Sequence, residues 1–408
     1  MSIDVVALKQ QYPALRREVA GHPVIHADAP GGTQVPEMVI DAMTNYLRGS
    51  NANSGGAFVT SEETDALITG ARRAAADLLG CSPGEIAFGW NMTTLNFTLS
   101  RALARDLTAG DEIVVTMLDH DANISPWLAV AEDTGATVKW ADIDDSDCTL
   151  DMGSLDAALS ERTRIVAFTM ASNAVGTIPR AKEIAARAHA TGALTIADAV
   201  HYAPHGPIDV KDLGVDALLC SPYKFYGPHL GIFYAPKDHL ERWRPYKVRP
   251  ASDEAPDRWE TGTMSHEALA GLTACVDHLA SLGHGSDRRS RITSAMAETV
   301  AHEGGLSARF IDAVSRMAHV KLFGISDPGR LEERTPTFAL TVEGKSPLEV
   351  ATRFGAEGVF VWDGNYYALA VMERLGLEDH GGAVRIGFCH YHSMDDVDRV
   401  TELLAAMG

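Results

Sequence analysis

Lys224 is conspicuous for its surroundings. It lies in "LLCSPYKFYGPHLGIF", residues 218–233, among tyrosines, phenylalanines, leucines and a Gly-Pro corner. An ammonium group buried without a partner is costly. Either this lysine sits at a strand end with its head in water, or burial keeps its amine reactive, as in imine-forming lysines. Ser221 precedes it in a Ser-x-x-Lys pattern and is an anion donor or a turn residue. Asp198 closes the earlier apolar run "ALTIAD". A carboxylate there needs a helix end, an arginine or a protonated ring nitrogen to face. In "FGWNMTTLNFTLSRAL" a strand, a polar turn and an amphipathic helix follow one another, and Thr93 and Thr94 fall at the helix start. Free N–H groups and the helix dipole suit an anion there; plain N-capping is the alternative. His120, in "LDHDANISPW", follows a strand. It suits stacking on an aromatic ligand or an ordinary loop role better than a metal site, because its acidic neighbours point to opposite faces. Arg385, in "AVRIGFCHYH", either ion-pairs or clamps a carboxylate with two hydrogen bonds.

The elements that must position these residues are legible from periodicity. "TDALITGARRAAADLLG" is helical, with Gly80 as a stop. "EIAFGW", "DEIVVTML", "TVKWADI", "TRIVAFTM", "ALTIAD", "DALLC" and "GIFYA" read as strands, with helices such as "RAKEIAARAHATG" between them. That alternation predicts an α/β fold with a largely parallel sheet covered on both faces. Ligands in such sheets bind beyond the carboxyl ends of the strands, where Asp198 and Lys224 fall. Residues 236–265 are polar and rich in Arg and Pro. The later strands "TPTFALTVEG", "GVFVWD" and "AVRIGFCHYH" predict a smaller α+β domain over 266–408, with 27–265 as the large domain and 1–26 packing with the small one.

The 408 residues are 46% apolar and 22% charged, with formal net charge −20. That balance argues against a nucleic-acid or anionic-membrane binder. Five scattered cysteines without a CxxC pair indicate neither a disulfide framework nor a zinc site. With no apolar signal core, a cytoplasmic protein is expected. "HYAPH" spaces His201 and His205 like metal ligands on a helix, but Pro204 opposes that helix. "EGKSP" lacks the first glycine of a P-loop. Taken in order, the chain offers phosphate donors, a stacking histidine, an acid for a pyridine nitrogen and an imine-forming lysine, the parts needed to hold pyridoxal phosphate.

With "IHADAPGGT", "SNANSGGAF", "NMTTLN", "SNAVGTI", "IADAVHYAPHGPIDV", "SPYKFYGP", "RWETGT" and "VRIGFCHYHSMDDVDRV", the sequence resembles the class V aminotransferase family of pyridoxal-phosphate enzymes. These have fold type I, and the resemblance is nearest to the cysteine desulfurase and selenocysteine lyase branch. It implies that Lys224 carries the cofactor as a Schiff base, Asp198 pairs with its ring nitrogen and His120 stacks on its ring. Thr93 or Thr94 and Ser221 would hold the phosphate. Thr263 would reach the phosphate of a neighbouring subunit, in a homodimer with shared active sites. Asn173 would lie near the ring oxygen and the substrate, and Arg385 would bind the α-carboxylate of an amino-acid substrate.

Departures fall on the substrate side. No cysteine lies between Cys275 and Arg385, and Tyr367 stands about where desulfurases carry their nucleophilic Cys. Cys389 follows Arg385, but four residues at about 3.3 Å each reach roughly 13 Å, so it is expected in the core. His201 replaces the family's Gln against the ring oxygen, Tyr223 replaces the His before the lysine, and Asn53-Ser54 replaces the partner-loop His-Arg. The expected activity is β-elimination of a C–S or C–Se bond. The alternatives are an aminotransferase or epimerase of another amino compound, desulfuration through a different thiol, or a cofactor-binding protein without turnover.

Overall fold

The computed structural model describes residues 3–408. Glu18–Val19 (β1) and His22–Pro23 (β2) form a short ribbon. Seven strands then build the main sheet: Ile86–Gly89 (β3), Glu112–Thr116 (β4), Thr137–Ala141 (β5), Thr163–Thr169 (β6), Leu194–Asp198 (β7), Ala217–Cys220 (β8) and Gly231–Tyr234 (β9). Their order is β3-β9-β8-β7-β6-β4-β5. β4 to β8 pair in parallel, whereas β9 runs against both β8 and β3. The sheet is largely parallel, as expected; β9 is reversed because the short connection over 221–230 cannot make a crossover. β4, β8 and β9 are buried throughout. Helices cover both faces, which explains their unbroken apolar runs.

Strand order reverses between β4 and β6, so the sheet opens a crevice at their carboxyl ends. The start of helix Met92–Leu103 meets Ser221, just past β8, and lines one cavity with Thr169 and Asp198 at the ends of β6 and β7. The approach is close: a Cβ on Gly231 would lie 2.6 Å from the Asn91 carbonyl carbon, so only glycine lets β9 pass beneath the helix start.

The second sheet comprises Val320–Phe323 (β10), Thr337–Val342 (β11), Trp362–Gly364 (β12) and Ala383–Gly387 (β13), all antiparallel in the order β10-β11-β13-β12. Helices Arg288–Val314 and Met394–Ala405 pack on it. Helix His266–Ser281 packs instead on Glu37–Gly49 and on Val59–Leu79, whose buried Ala71, Ala74, Ala75 and Ala76 permit a tight approach. The N-terminal stretch touches both regions. Tyr12 sits between His278 and His390, with its hydroxyl 2.7 Å and 2.8 Å from their Nε2 atoms, and Ile25 bridges Val359. No helix among the described residues is long and apolar enough to cross a membrane.

Candidate active site

Two cavities meet at Lys224. The inner one, about 510 Å³, is lined by residues that include Thr93, Thr94, His120, Asn173, Asp198, His201, Ser221, Tyr223 and Lys224. The outer one, about 800 Å³, adds the Trp362–Tyr367 turn and Arg385.

Lys224 ends a short turn after β8. Its Nζ donates to the Pro30 carbonyl and, at 3.1 Å, to that of Gly31. It also lies 4.8 Å from the Tyr223 ring centre. Burial and the Arg385 charge push its pKa down to about 7, against the opposing pull of Asp28 and Asp198. Asp198 is the last residue of β7 and 4% exposed. One carboxylate oxygen accepts from the Val200 N–H at 2.8 Å; the other has no partner among the described residues, and burial raises the pKa to about 6. An unmatched acid lining a cavity suits a cationic ring nitrogen.

His120 is placed by a buried polar clamp. Asp119 accepts from the Thr116 hydroxyl and, at 2.7 Å, from Asn123 Nδ2, while Asn96 Nδ2 donates to Asn123 Oδ1 and to the Ala122 carbonyl. The Ala122 N–H donates to His120 Nδ1 at 2.9 Å, which leaves the ring proton on Nε2. Burial and the cations Lys224 and Arg385 push His120 down to about 3, so the ring is neutral. Tyr367 stacks on it, with ring centres 5.6 Å apart and planes 22° apart.

At the start of helix Met92–Leu103, the Met92 N–H donates to Ser221 Oγ at 2.9 Å. Asn91 and Thr94 close a reciprocal capping box, which commits the Thr94 hydroxyl. The N–H and hydroxyl of Thr93 have no partner among the described residues, so Thr93 is the freer donor for an anion. His201 Nε2 lies 3.0 Å from the Thr337 hydroxyl and 3.2 Å from that of Thr335. Asn173 donates from Nδ2 to the Tyr366 carbonyl at 3.0 Å, while its buried Oδ1 has no partner among the described residues. Arg385 pairs with Asp28 at 2.9 Å and donates to the Asn173 carbonyl at 3.1 Å; its buried Nε has no partner among the described residues. Its guanidinium lies 4.6 Å from the Tyr366 ring centre.

Within one chain, two expected site residues lie elsewhere. Thr263 lines a separate cleft with Trp90 and Thr94. Asn53 is exposed and holds the Ser54 N–H at 2.9 Å. Among the described residues, no cysteine lines either cavity. Cys389 is buried, with Sγ 3.7 Å from His392 Nδ1. Residues not assigned from sequence also form the site: Asp28, the Pro30 and Gly31 carbonyls, and Tyr366. Both Tyr366 and Tyr367 have positive φ, 56° and 57°. The strained turn places one ring under Arg385 and the other on His120.

The fit to pyridoxal phosphate rests on the free Asp198 oxygen, the open helix start and the near-neutral lysine. The comparisons agree with that chemistry. The model of the family described as Aminotransferase class-V matches residues 25–400. Aminotransferase-like protein FGM3 of Gibberella zeae is 32% identical, over 98% of this chain and 97% of that protein. Probable cysteine desulfurase 2 of Mycobacterium leprae is 31% identical, over 98% and 95%. The solved cysteine desulfurase of Thermococcus onnurineus aligns with TM-score 0.89 at 24% identity, covering 100% of this chain and 98% of that one, a likeness of fold. The chain belongs to the class V aminotransferase family of pyridoxal-phosphate enzymes and is cysteine desulfurase-like.

Proposed function

We propose that this class V family enzyme is a β-lyase, cleaving the bond between Cβ of an amino acid and a sulfur or selenium leaving group. The observation that carries this reading is the lining around Lys224, which offers a base, an arginine and an aromatic turn but no thiol. A desulfurase needs a thiolate to take up the sulfur, and the five cysteines lie outside both cavities.

When bound, pyridoxal phosphate supplies an electron sink for a carbanion at Cα. Thr93, Ser221 and the N-terminus of Met92–Leu103 would hold its phosphate. Asp198 would face its ring nitrogen, His120 its ring plane, and Asn173 with His201 its ring oxygen. Arg385, which lines the outer cavity, would receive the substrate's α-carboxylate. Lys224, with a pKa near neutrality, would act as the base at Cα, where a base poised near the working pH is most effective. The C–S bond then breaks with its electron pair on sulfur. The balance is substrate plus water giving a thiol or sulfide, pyruvate and ammonia.

The holoenzyme is expected to release pyruvate from L-cystine or L-cysteine in step with the sulfur product, without added thiol. A keto acid that retains the substrate's skeleton would instead establish transamination.

We also propose a homodimer in which Thr263 and Asn53 of each copy approach the other's cavity, because both lie outside it within one chain. Light scattering should give twice the 43.7 kDa chain mass, and Thr263→Val should weaken cofactor retention. A monomer that retains cofactor fully would contradict this.

A further inference from the structure

Tyr366 and Tyr367 both lie in the left-handed region, at φ 56° and 57°. Bulky side chains avoid that region, whereas glycine takes it freely. Such backbone persists only where its surroundings over-determine it, and four hydrogen bonds do so here. The Ala368 N–H closes the turn on the Asn365 carbonyl at 2.8 Å, and the Tyr367 N–H donates to Asn365 Oδ1 at 3.1 Å. Two more come from the loops after β6 and β4. Asn173 Nδ2 donates to the Tyr366 carbonyl at 3.0 Å, and the Asp121 N–H, next to His120, donates to the Tyr367 carbonyl at 2.6 Å.

The strained backbone secures a particular side chain. Tyr366 is 5% exposed, and its hydroxyl donates to the Ala383 carbonyl. Ala383 stands two residues before Arg385 on β13, so the ring is pinned to the strand that carries the arginine. The Arg385 guanidinium lies over that ring, 4.6 Å from its centre, where the negative face of the π-system attracts a cation. Arg385 is thereby held from three directions: by Asp28 at 2.9 Å, by the Asn173 carbonyl at 3.1 Å and by the face of Tyr366. Asn173 fastens Tyr366 with its side chain and Arg385 with its carbonyl, so the three residues close a circuit. A guanidinium on a long, flexible stem loses rotamer freedom when a ligand orders it; one held in place beforehand avoids that cost on binding.

We infer that Tyr366 is a positioning residue for substrate recognition: its ring face holds the Arg385 guanidinium ready for the α-carboxylate, and the left-handed turn places that ring. This rests on Arg385 as the partner of the carboxylate, and not on which bond breaks at Cβ.

The test compares S-methyl-L-cysteine with 2-(methylthio)ethylamine, which lacks only the carboxylate. Binding of each to the holoenzyme is read from the visible band of the bound cofactor, without need of turnover. The unmodified enzyme should bind the amino acid about tenfold or more tighter than the amine, as expected for a partly desolvated charge pair. Tyr366→Leu removes the π face and should weaken amino-acid binding about three- to thirtyfold, while binding of the amine stays unchanged. Tyr366→Phe keeps the face and should bind both as the unmodified enzyme does. Melting of the cofactor-free variants shows whether they fold. If Tyr366→Leu does not, phenylalanines carrying one, two and three ring fluorines at position 366 decide, because fluorine weakens the negative face at nearly constant shape. Amino-acid binding should then fall with each fluorine, and a flat series overturns the inference. Equal weakening of both ligands in Tyr366→Leu, or equal loss in Tyr366→Phe and Tyr366→Leu, also overturns it. An unmodified enzyme that prefers the amino acid, with a Tyr366→Leu enzyme that keeps that preference in full, removes the role of Tyr366 alone. An unmodified enzyme without such a preference removes the carboxylate role of Arg385 and the inference with it.

Discussion

Lys224→Ala is expected to lose the visible band of the covalently held cofactor and to reduce turnover about 10²–10⁴-fold, the range for removing a positioned base. The amine is unusual before any cofactor arrives. Its surroundings desolvate it, the Arg385 charge repels its proton, and its pKa falls to about 7. An exposed lysine titrates near ~10.4. In cofactor-free protein, acylation of Lys224 by an amine-selective reagent should therefore rise with pH through a midpoint near 7, because the neutral amine is the reactive form. A midpoint above about 9, or a Lys224→Ala protein that retains its visible band and its rate, would contradict this assignment.

Asp198→Asn should be nearly as damaging. Asp198 is 4% exposed at the end of β7, with one oxygen held by Val200 and the other open to the cavity. Asparagine keeps the shape and can still accept from the Val200 N–H, but it removes the anion that would keep a ring nitrogen protonated. Leaving a buried charge without its partner costs about 3–5 kcal/mol. Loss of one preorganised electrostatic contact typically lowers kcat about 10²–10³-fold. We expect a fall of that size together with weaker cofactor binding, and Asp198→Glu should restore part of it. An Asp198→Asn enzyme within about twofold of the parent, well short of that range, would show that the acid is only a strand-end cap.

Much of this site could be read from sequence because its residues close strands or open a helix. Asp198, Ser221, Lys224 and His120 each follow an apolar run, and the α/β pattern brings such ends together. The choice between Thr93 and Thr94 was also encoded, though less visibly: Asn91 is a favoured N-cap, and it binds Thr94. The remainder depends on distant pairings. Asp28 meets Arg385 through the bridge of Asp28 to Gly387, which no local pattern announces. Strand direction is not written in apolar content, so the reversal of β9 was not read. β10, whose burial is partial, offered too weak an alternation to be noticed. The Tyr366–Tyr367 turn adopts positive φ with two bulky residues, against local preference, and its position was legible only as the place where a cysteine was absent.

The most direct test of the central claim is to reduce the purified holoenzyme with borohydride, digest it and locate the pyridoxyl group by mass spectrometry. The account predicts a single adduct on Lys224, diminished when an amino-acid substrate is added first and releases the lysine. An adduct on another lysine, or none in a protein that still carries pyridoxal phosphate, would contradict it.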